Sequence, residues 1–175
     1  MILLYILGSL IGLILISALF IKKDYFVSRE ILIEAPLLVV FDYIKYLRNQ
    51  ENYGVWNSMD LNMKKTYIGT DGAPGCIYRW ESEVKKVGAG EQEIKKITQN
   101  ESLETELRFI KPFEGKAEVK IATAAVTEIE TKVSWNMKSS MKYPMNFMLL
   151  FMNMDEMIGK DFAQGLLNLK DCIEK

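Results

Sequence analysis

The chain has 175 residues, 22 of them basic and 23 acidic, for a net charge of −1. That length suits one domain with a sizeable core, and the charge balance argues against nucleic-acid binding through a basic surface. The absence of histidine removes Ser-His-Asp and Cys-His catalysis and imidazole metal sites. Two cysteines, Cys76 and Cys172, cannot build a disulfide framework or a four-cysteine zinc site.

Met1–Ile21 holds 17 hydrophobic residues out of 21 and no charge. As a helix it would span about 31 Å, near the hydrocarbon thickness of a bilayer. A secretory signal would have a positive start, a shorter apolar stretch and small residues before a cleavage point. Here no basic residue precedes the run, and Ile16-Ser17-Ala18 is a poor cleavage site. The segment 1–23 therefore reads as an uncleaved, single-pass transmembrane helix. Lys22 and Lys23 then place the remaining domain, 24–175, in the cytoplasm by the positive-inside rule, where reduced cysteines are at home. Gly8 and Gly12 have the GxxxG spacing that brings membrane helices together; small residues scattered on a lipid-facing helix would look the same.

Tyr25–Glu34 alternates and is rich in β-formers, a first strand. Ala35-Pro36 stops it, and Leu37–Leu47 carries apolar residues at helical spacing. Arg48–Tyr53 reads as a second short helix, and Gly54–Asp60 as a loop carrying Trp56. Strands are expected at Leu61–Ile68, Cys76–Val84, Glu91–Thr98, Leu103–Ile110, Ala117–Val126 and Thr131–Met141. Between the first two of these lies Gly69–Gly75, whose G-x-x-G-x-x-G spacing lacks the Lys-Ser/Thr ending of a phosphate loop and reads as a turn. From Pro144 the period lengthens: Phe147, Leu150, Phe151, Met154, Ile158, Phe162, Leu166, Leu169 and Ile173 predict one amphipathic helix of about 30 residues. Hairpin-length connections imply an antiparallel sheet. One helix cannot cover the inner face of some seven strands, so the sheet wraps it and a cavity follows.

The parity of the strands aims Tyr78 and Trp80, Leu107 and Phe109, and Trp135 and Met137 at that helix, which offers Phe151, Met154 and Ile158. These nine residues are the candidate ligand cavity. Buried indole and phenol groups need hydrogen-bond partners and can orient a polar ligand end; plain core packing is the competing reading. A slip of one residue would turn Arg79 and Glu81 inward instead. Met141, Met145, Met148, Met152, Met154 and Met157 crowd the start of the last helix and suggest an adaptable cavity wall, a packing surface or a bilayer contact. Helical phasing turns Asp161 to solvent, away from acid–base work, with Asp155 and Glu156 near the helix start. Asn100-Glu101-Ser102 is a glycosylation sequon, irrelevant in the cytoplasm, and Cys76 reads as an inert buried thiol.

Several strings carry a likeness along residues 25–175. They are Ile33-Glu34-Ala35-Pro36 with Val40-Phe41-Asp42-Tyr43, and Trp56-Asn57-Ser58. Next come Gly75-Cys76-Ile77-Tyr78-Arg79-Trp80-Glu81, Leu107-Arg108-Phe109 with Lys111-Pro112-Phe113, and Thr131-Lys132-Val133-Ser134-Trp135. The last are Met157-Ile158-Gly159-Lys160-Asp161-Phe162 and Gly165-Leu166-Leu167-Asn168-Leu169-Lys170. In this order the chain resembles the polyketide cyclase/dehydrase and lipid-transport group of the START-like (SRPBCC) superfamily. The resemblance implies an α+β helix-grip (Bet v 1/START-like) fold: a curved antiparallel sheet of about seven strands wrapped around a long C-terminal helix, here preceded by the transmembrane helix. Family enzymes that use a histidine find no match in this chain.

The expectation is a membrane-anchored binding protein for a hydrophobic small molecule, lipid or isoprenoid-like. It needs no cofactor or metal and has no nucleic-acid partner. The alternatives are a cyclase or dehydratase acting on a hydrophobic substrate, which would need an ionisable group in the cavity, and a ligand-free module docking a protein partner.

Overall fold

The computed structural model describes residues 1–175, the side chain of Leu3 excepted. Alternating β-formers draw the chain into β1 (Asp24–Ile33), and Pro36 ends the strand and opens α2 (Leu37–Ile44), which buries Val40, Phe41 and Ile44. A 3-10 turn at Leu47–Asn49 leads to α3 (Gln50–Tyr53) and α4 (Val55–Met59). The expected loop at 54–60 is thus largely helical. Gly54, with extended backbone, separates the two short helices, and side-chain bonds to the backbone shape the turn. Asn57 Nδ2 donates to the Gln50 carbonyl at 3.0 Å and Ser58 Oγ to the Val55 carbonyl at 2.7 Å.

Six strands follow: β2 (Lys64–Ile68), β3 (Ile77–Glu81), β4 (Ala89–Thr98), β5 (Ser102–Lys111), β6 (Gly115–Thr127) and β7 (Glu130–Ser140). They form one seven-stranded sheet in the order β1-β7-β6-β5-β4-β3-β2, every neighbouring pair antiparallel. The first strand pairs with the last, so both ends of the fold meet there. The closing helix, α5 (Met154–Ile173), packs along β1 and over the inner face. The main core joins Val27, Ile33, Phe41, Trp135, Phe162, Leu166 and Leu169, and a smaller cluster joins Leu47, Cys76, Tyr78, Ile94 and Leu103.

The single long helix expected from Pro144 is divided. Met145–Leu150 forms a 3-10 turn, and α5 starts only at Met154. Asn153 caps it: its Oδ1 accepts from the Glu156 backbone N–H at 3.1 Å. Asp155 and Glu156 in the first turn complement the helix dipole. Arg29 on β1 then pins this turn, donating to both carboxylate oxygens and the carbonyl of Asp155.

The N-terminal segment forms α1 (Ile2–Phe20). Among the described residues, no helix is long and apolar enough to cross a membrane. This overturns the expected transmembrane span and the single-pass membrane localisation with a cytoplasmic domain built on it. The side chain of Leu3, within the expected run, lies outside the described residues. The end of α1 is tied into the domain. The fully buried Asn146 donates from Nδ2 to the carbonyls of Ala18 at 2.7 Å and Ile21 at 3.0 Å, and the Tyr143 hydroxyl donates to the Leu15 carbonyl at 3.3 Å. The stretch clear of these ties, 2–14, rises only about 20 Å, against about 30 Å of bilayer hydrocarbon.

On the outer face of β4 and β5, Arg108 gathers three carboxylates: Glu91 at 2.6 Å, Glu93 at 2.7 Å and Glu106. Arg79 also binds Glu91 and Lys95 also binds Glu93. The hydrogen bonds from Arg79, Lys95 and Arg108 hold the carboxyls of Glu91, Glu93 and Glu106, respectively, below their ordinary value of 4.5. Carboxyls lowered by folding stabilise the native state above their unfolded value, and that contribution is lost as the pH falls through their folded values. Urea unfolding midpoints should therefore hold above pH 4.5 and drop on acidification below it. The drop should be shallower in Arg108→Met; an unchanged acid slope in that variant would place the sensitivity elsewhere.

Candidate ligand cavity

Inward-facing side chains of β3, β5 and β7 and the start of α5 leave a cavity of about 280 Å³. Its rim is the loop 82–88, with Lys86 and Val87, and the end of β5 with the turn after it, Lys111, Pro112 and Phe113. The two rim segments touch. Gly88 has φ +62°, and a Cβ there would lie 2.1 Å from the Lys111 carbonyl oxygen, so only glycine allows this approach. At Gly90 the missing side chain makes room for Trp80, whose Cζ2 would stand 2.6 Å from a Cβ.

Aromatic rings form two walls. Along the β2–β3 side, Tyr67 stacks on Tyr78 with centroids 4.9 Å apart, Tyr78 on Trp80 at 5.8 Å, and Trp80 meets Phe109 edge-on at 6.3 Å. On the α5 side, Trp135 stacks on Phe162 at 4.7 Å, and Trp56 meets Phe162 edge-on at 6.0 Å. Such pairs prefer offset-stacked or edge-on geometry, which fixes the ring planes.

The polar lining is small. The Tyr78 hydroxyl donates to Asn57 Oδ1 at 3.1 Å, Trp80 Nε1 to the Val87 carbonyl at 3.2 Å, and Gln92 Nε2 to Thr105 Oγ1 at 3.1 Å. Burial, with Glu51 nearby, pushes the Tyr78 hydroxyl well above the usual phenol value, so it stays protonated. No carboxylate lines the cavity among the described residues. Lys86 faces Asp161 at 3.8 Å and Lys111 faces Glu81 at 3.7 Å, both lysines largely in water.

Of the nine residues singled out in the sequence, Tyr78, Trp80, Leu107, Phe109, Trp135, Met137 and Ile158 line this cavity. Phe151 and Met154 do not. They lie on a separate groove with Phe20, Ile21 and Phe26, and Phe151 is 77% exposed. The break before α5 turns this segment toward α1. None of the methionines at 141–157 lines the cavity, whereas Met63 and Met137 do. Arg79 and Glu81 are exposed on the outer face, so the alternation holds without a slip. Asp161 is not turned to open solvent: its side chain is 21% exposed, beneath Lys86 of the rim loop. Sequence reasoning missed Trp56, Asn57 and Phe162 as lining residues. The first two belong to the segment expected as a loop; the last enters the sequence reading only as a member of the apolar stripe of the final helix.

No family model and no curated protein matches the chain. Solved structures do. Norcoclaurine synthase from Thalictrum flavum, in complex with dopamine and hydroxybenzaldehyde, has a TM-score of 0.65 at 9% identity, covering 87% of this chain and 87% of that one. A protein from Nitrosospira multiformis has a TM-score of 0.62 at 15% identity, over 85% of this chain and 96% of that one. The Aha1 dimer from Colwellia psychrerythraea gives 0.54 at 15% identity, over 86% and 96%. At these identities the likeness is one of fold. It is the α+β fold expected from the order of elements, an antiparallel seven-stranded sheet with a C-terminal helix across it.

Proposed function

We propose that the domain 24–175 binds a compact hydrophobic molecule between the sheet and α5, as a carrier or sensor of the START-like lipid-transport type. The observation that carries this reading is the cavity of about 280 Å³ with two aromatic walls and few polar groups. Each 100 Å² of apolar ligand surface removed from water would contribute about 2.5 kcal/mol. The volume lies just below the range of about 300–1,000 Å³ usual for ligand pockets. A ring compound or a short isoprenoid suits it better than a two-chain lipid. The norcoclaurine synthase of the same fold, solved with dopamine and hydroxybenzaldehyde, supports ring-sized occupants.

Catalysis would call for an ionisable group poised near neutrality inside the site. Tyr78 is held protonated and the lysines stand at the rim, so binding is the reading the geometry favours. Native mass spectrometry of the full chain purified from cells, with organic extraction of what co-purifies, tests it. A discrete small-molecule mass is the expected result. A bare chain whose melting temperature no ring compound or isoprenoid raises would overturn it.

A further inference from the structure

Among the described residues, Tyr25 alone lines both the cavity and the groove beside α1. The two spaces lie along one seam, where the edge strand β1 meets the start of α5. On the helix, Met154 lines the groove and Ile158 lines the cavity. They are four residues apart, a rise of about 6 Å. On the strand, Tyr25, Val27 and Arg29 alternate onto one face. Beyond Tyr25 the seam is closed by contacts. Val27 is fully buried. The Arg29 guanidinium pairs with Asp155 at 2.9 Å and fills the space over Gly159, where a Cβ would collide with it.

Tyr25 is tied down less firmly than the other tyrosines of this site. It is partly buried and packs against the main core. Among the described residues, no hydrogen bond engages its hydroxyl and no aromatic partner stacks on its ring. Tyr67 and Tyr78 have both: their hydroxyls reach Glu51 and Asn57, and their rings stack on each other. A partly exposed ring without such ties changes rotamer without breaking a bond. The rim is closed in another way. There backbone meets backbone at Gly88 and Lys111, and Lys86 of the loop faces Asp161 on α5. Opening the rim moves two chain segments; opening the seam turns one side chain.

We propose that Tyr25 gates the cavity. An apolar ligand enters from the groove when the Tyr25 ring swings aside, and the ring closes behind it. The groove suits this passage: Phe20, Phe26, Leu150 and Phe151 present exposed apolar surface there, which takes an apolar molecule partly out of water before it enters. The inference rests on the binding reading above and adds to it the route and the residue that controls it.

Stopped-flow fluorescence of the full chain with Prodan (6-propionyl-2-dimethylaminonaphthalene), an uncharged naphthalene probe, tests it. Tyr25→Ala should raise the association and dissociation rates together, each about tenfold, because a gate sets the barrier between the free and bound states. The dissociation constant should stay within about threefold. Tyr25→Trp, with a larger ring at the same place, should slow both rates, and it decides the matter if the alanine variant folds poorly. Phe113→Ala, which trims the exposed rim, should leave both rates unchanged. Weaker binding of Tyr25→Ala through dissociation alone would make Tyr25 an ordinary wall residue and overturn the gate. Rates that ignore both Tyr25 variants, or that rise in Phe113→Ala instead, overturn it as well. In each of these cases Prodan still binds the unmutated chain and the cavity reading stands. No binding of Prodan to the unmutated chain overturns the cavity reading and the gate with it.

Discussion

Replacing Phe162 by alanine should cost about 3–5 kcal/mol of folding stability, the usual result of emptying a well-packed aromatic site. Phe162 is 2% exposed, its ring stacks on Trp135 at an interplanar angle of 16°, and it takes the edge of Trp56 at 89°. It joins α5 to β7 and to the short helix α4, three elements distant in sequence. No neighbour can close the gap cheaply: Trp135 is held by Gly165 and Tyr53, and Trp56 belongs to a helix of five residues. With a total stability of about 5–15 kcal/mol expected for such a domain, the variant should approach the limit of folding. Denaturant titration gives the loss through the midpoint, with an unchanged slope if the unfolded state is unaffected. A loss under about 1 kcal/mol would show that this wall collapses freely, and the cavity would then not be a rigid feature of the fold.

The rings of this wall were legible in part, and the pattern of success has a physical cause. Alternation along a strand sets which face a side chain takes, and that face survives tertiary packing because a one-residue slip would expose the whole core. Tyr78, Trp80, Leu107, Phe109, Trp135 and Met137 therefore fall where the period-two pattern puts them. Helical periodicity was a poorer guide near residue 150. The spacing of Phe147, Leu150, Phe151 and Met154 continues the apolar stripe of α5, yet Asn153 caps the helix through the Glu156 N–H. The Asn-x-x-Glu pattern resembles a capping box; here local hydrogen bonding prevails over periodicity.

Other features lie outside any local pattern. Asn146 reaches carbonyls more than 120 positions away to fasten the end of α1. Hydropathy alone reads the apolar run as clear of the domain and cannot register that tie. Asp161 was phased toward solvent by its own helix, and the loop 82–88 folds over it from β3 and β4. Asn57 was not legible as a site residue because α4 is a helix of only five residues, too short for an apolar period to show.

Filling the cavity should separate its role in binding from its role in stability. Leu107 is the place to do so. It is partly buried, it lines the cavity from β5, and its cross-strand neighbours are Gln92 and Ala117. In Leu107→Trp the added ring has empty space to enter before it meets a wall. Overpacking a tight core costs about 1–3 kcal/mol, whereas filling an existing void returns buried area at about 25 cal/mol per Å². The two tendencies oppose each other, so the unfolding midpoint should stay within about 1 kcal/mol of the unmutated chain. Binding of naphthalene-sized probes should fall at least tenfold, about 1.4 kcal/mol or more, because the volume they need is occupied. Loss of affinity with retained stability would show that the space itself is the binding site. Retained affinity in a folded Leu107→Trp would place the probes elsewhere on the molecule, with the groove beside Phe20, Phe26 and Phe151 the next place to look.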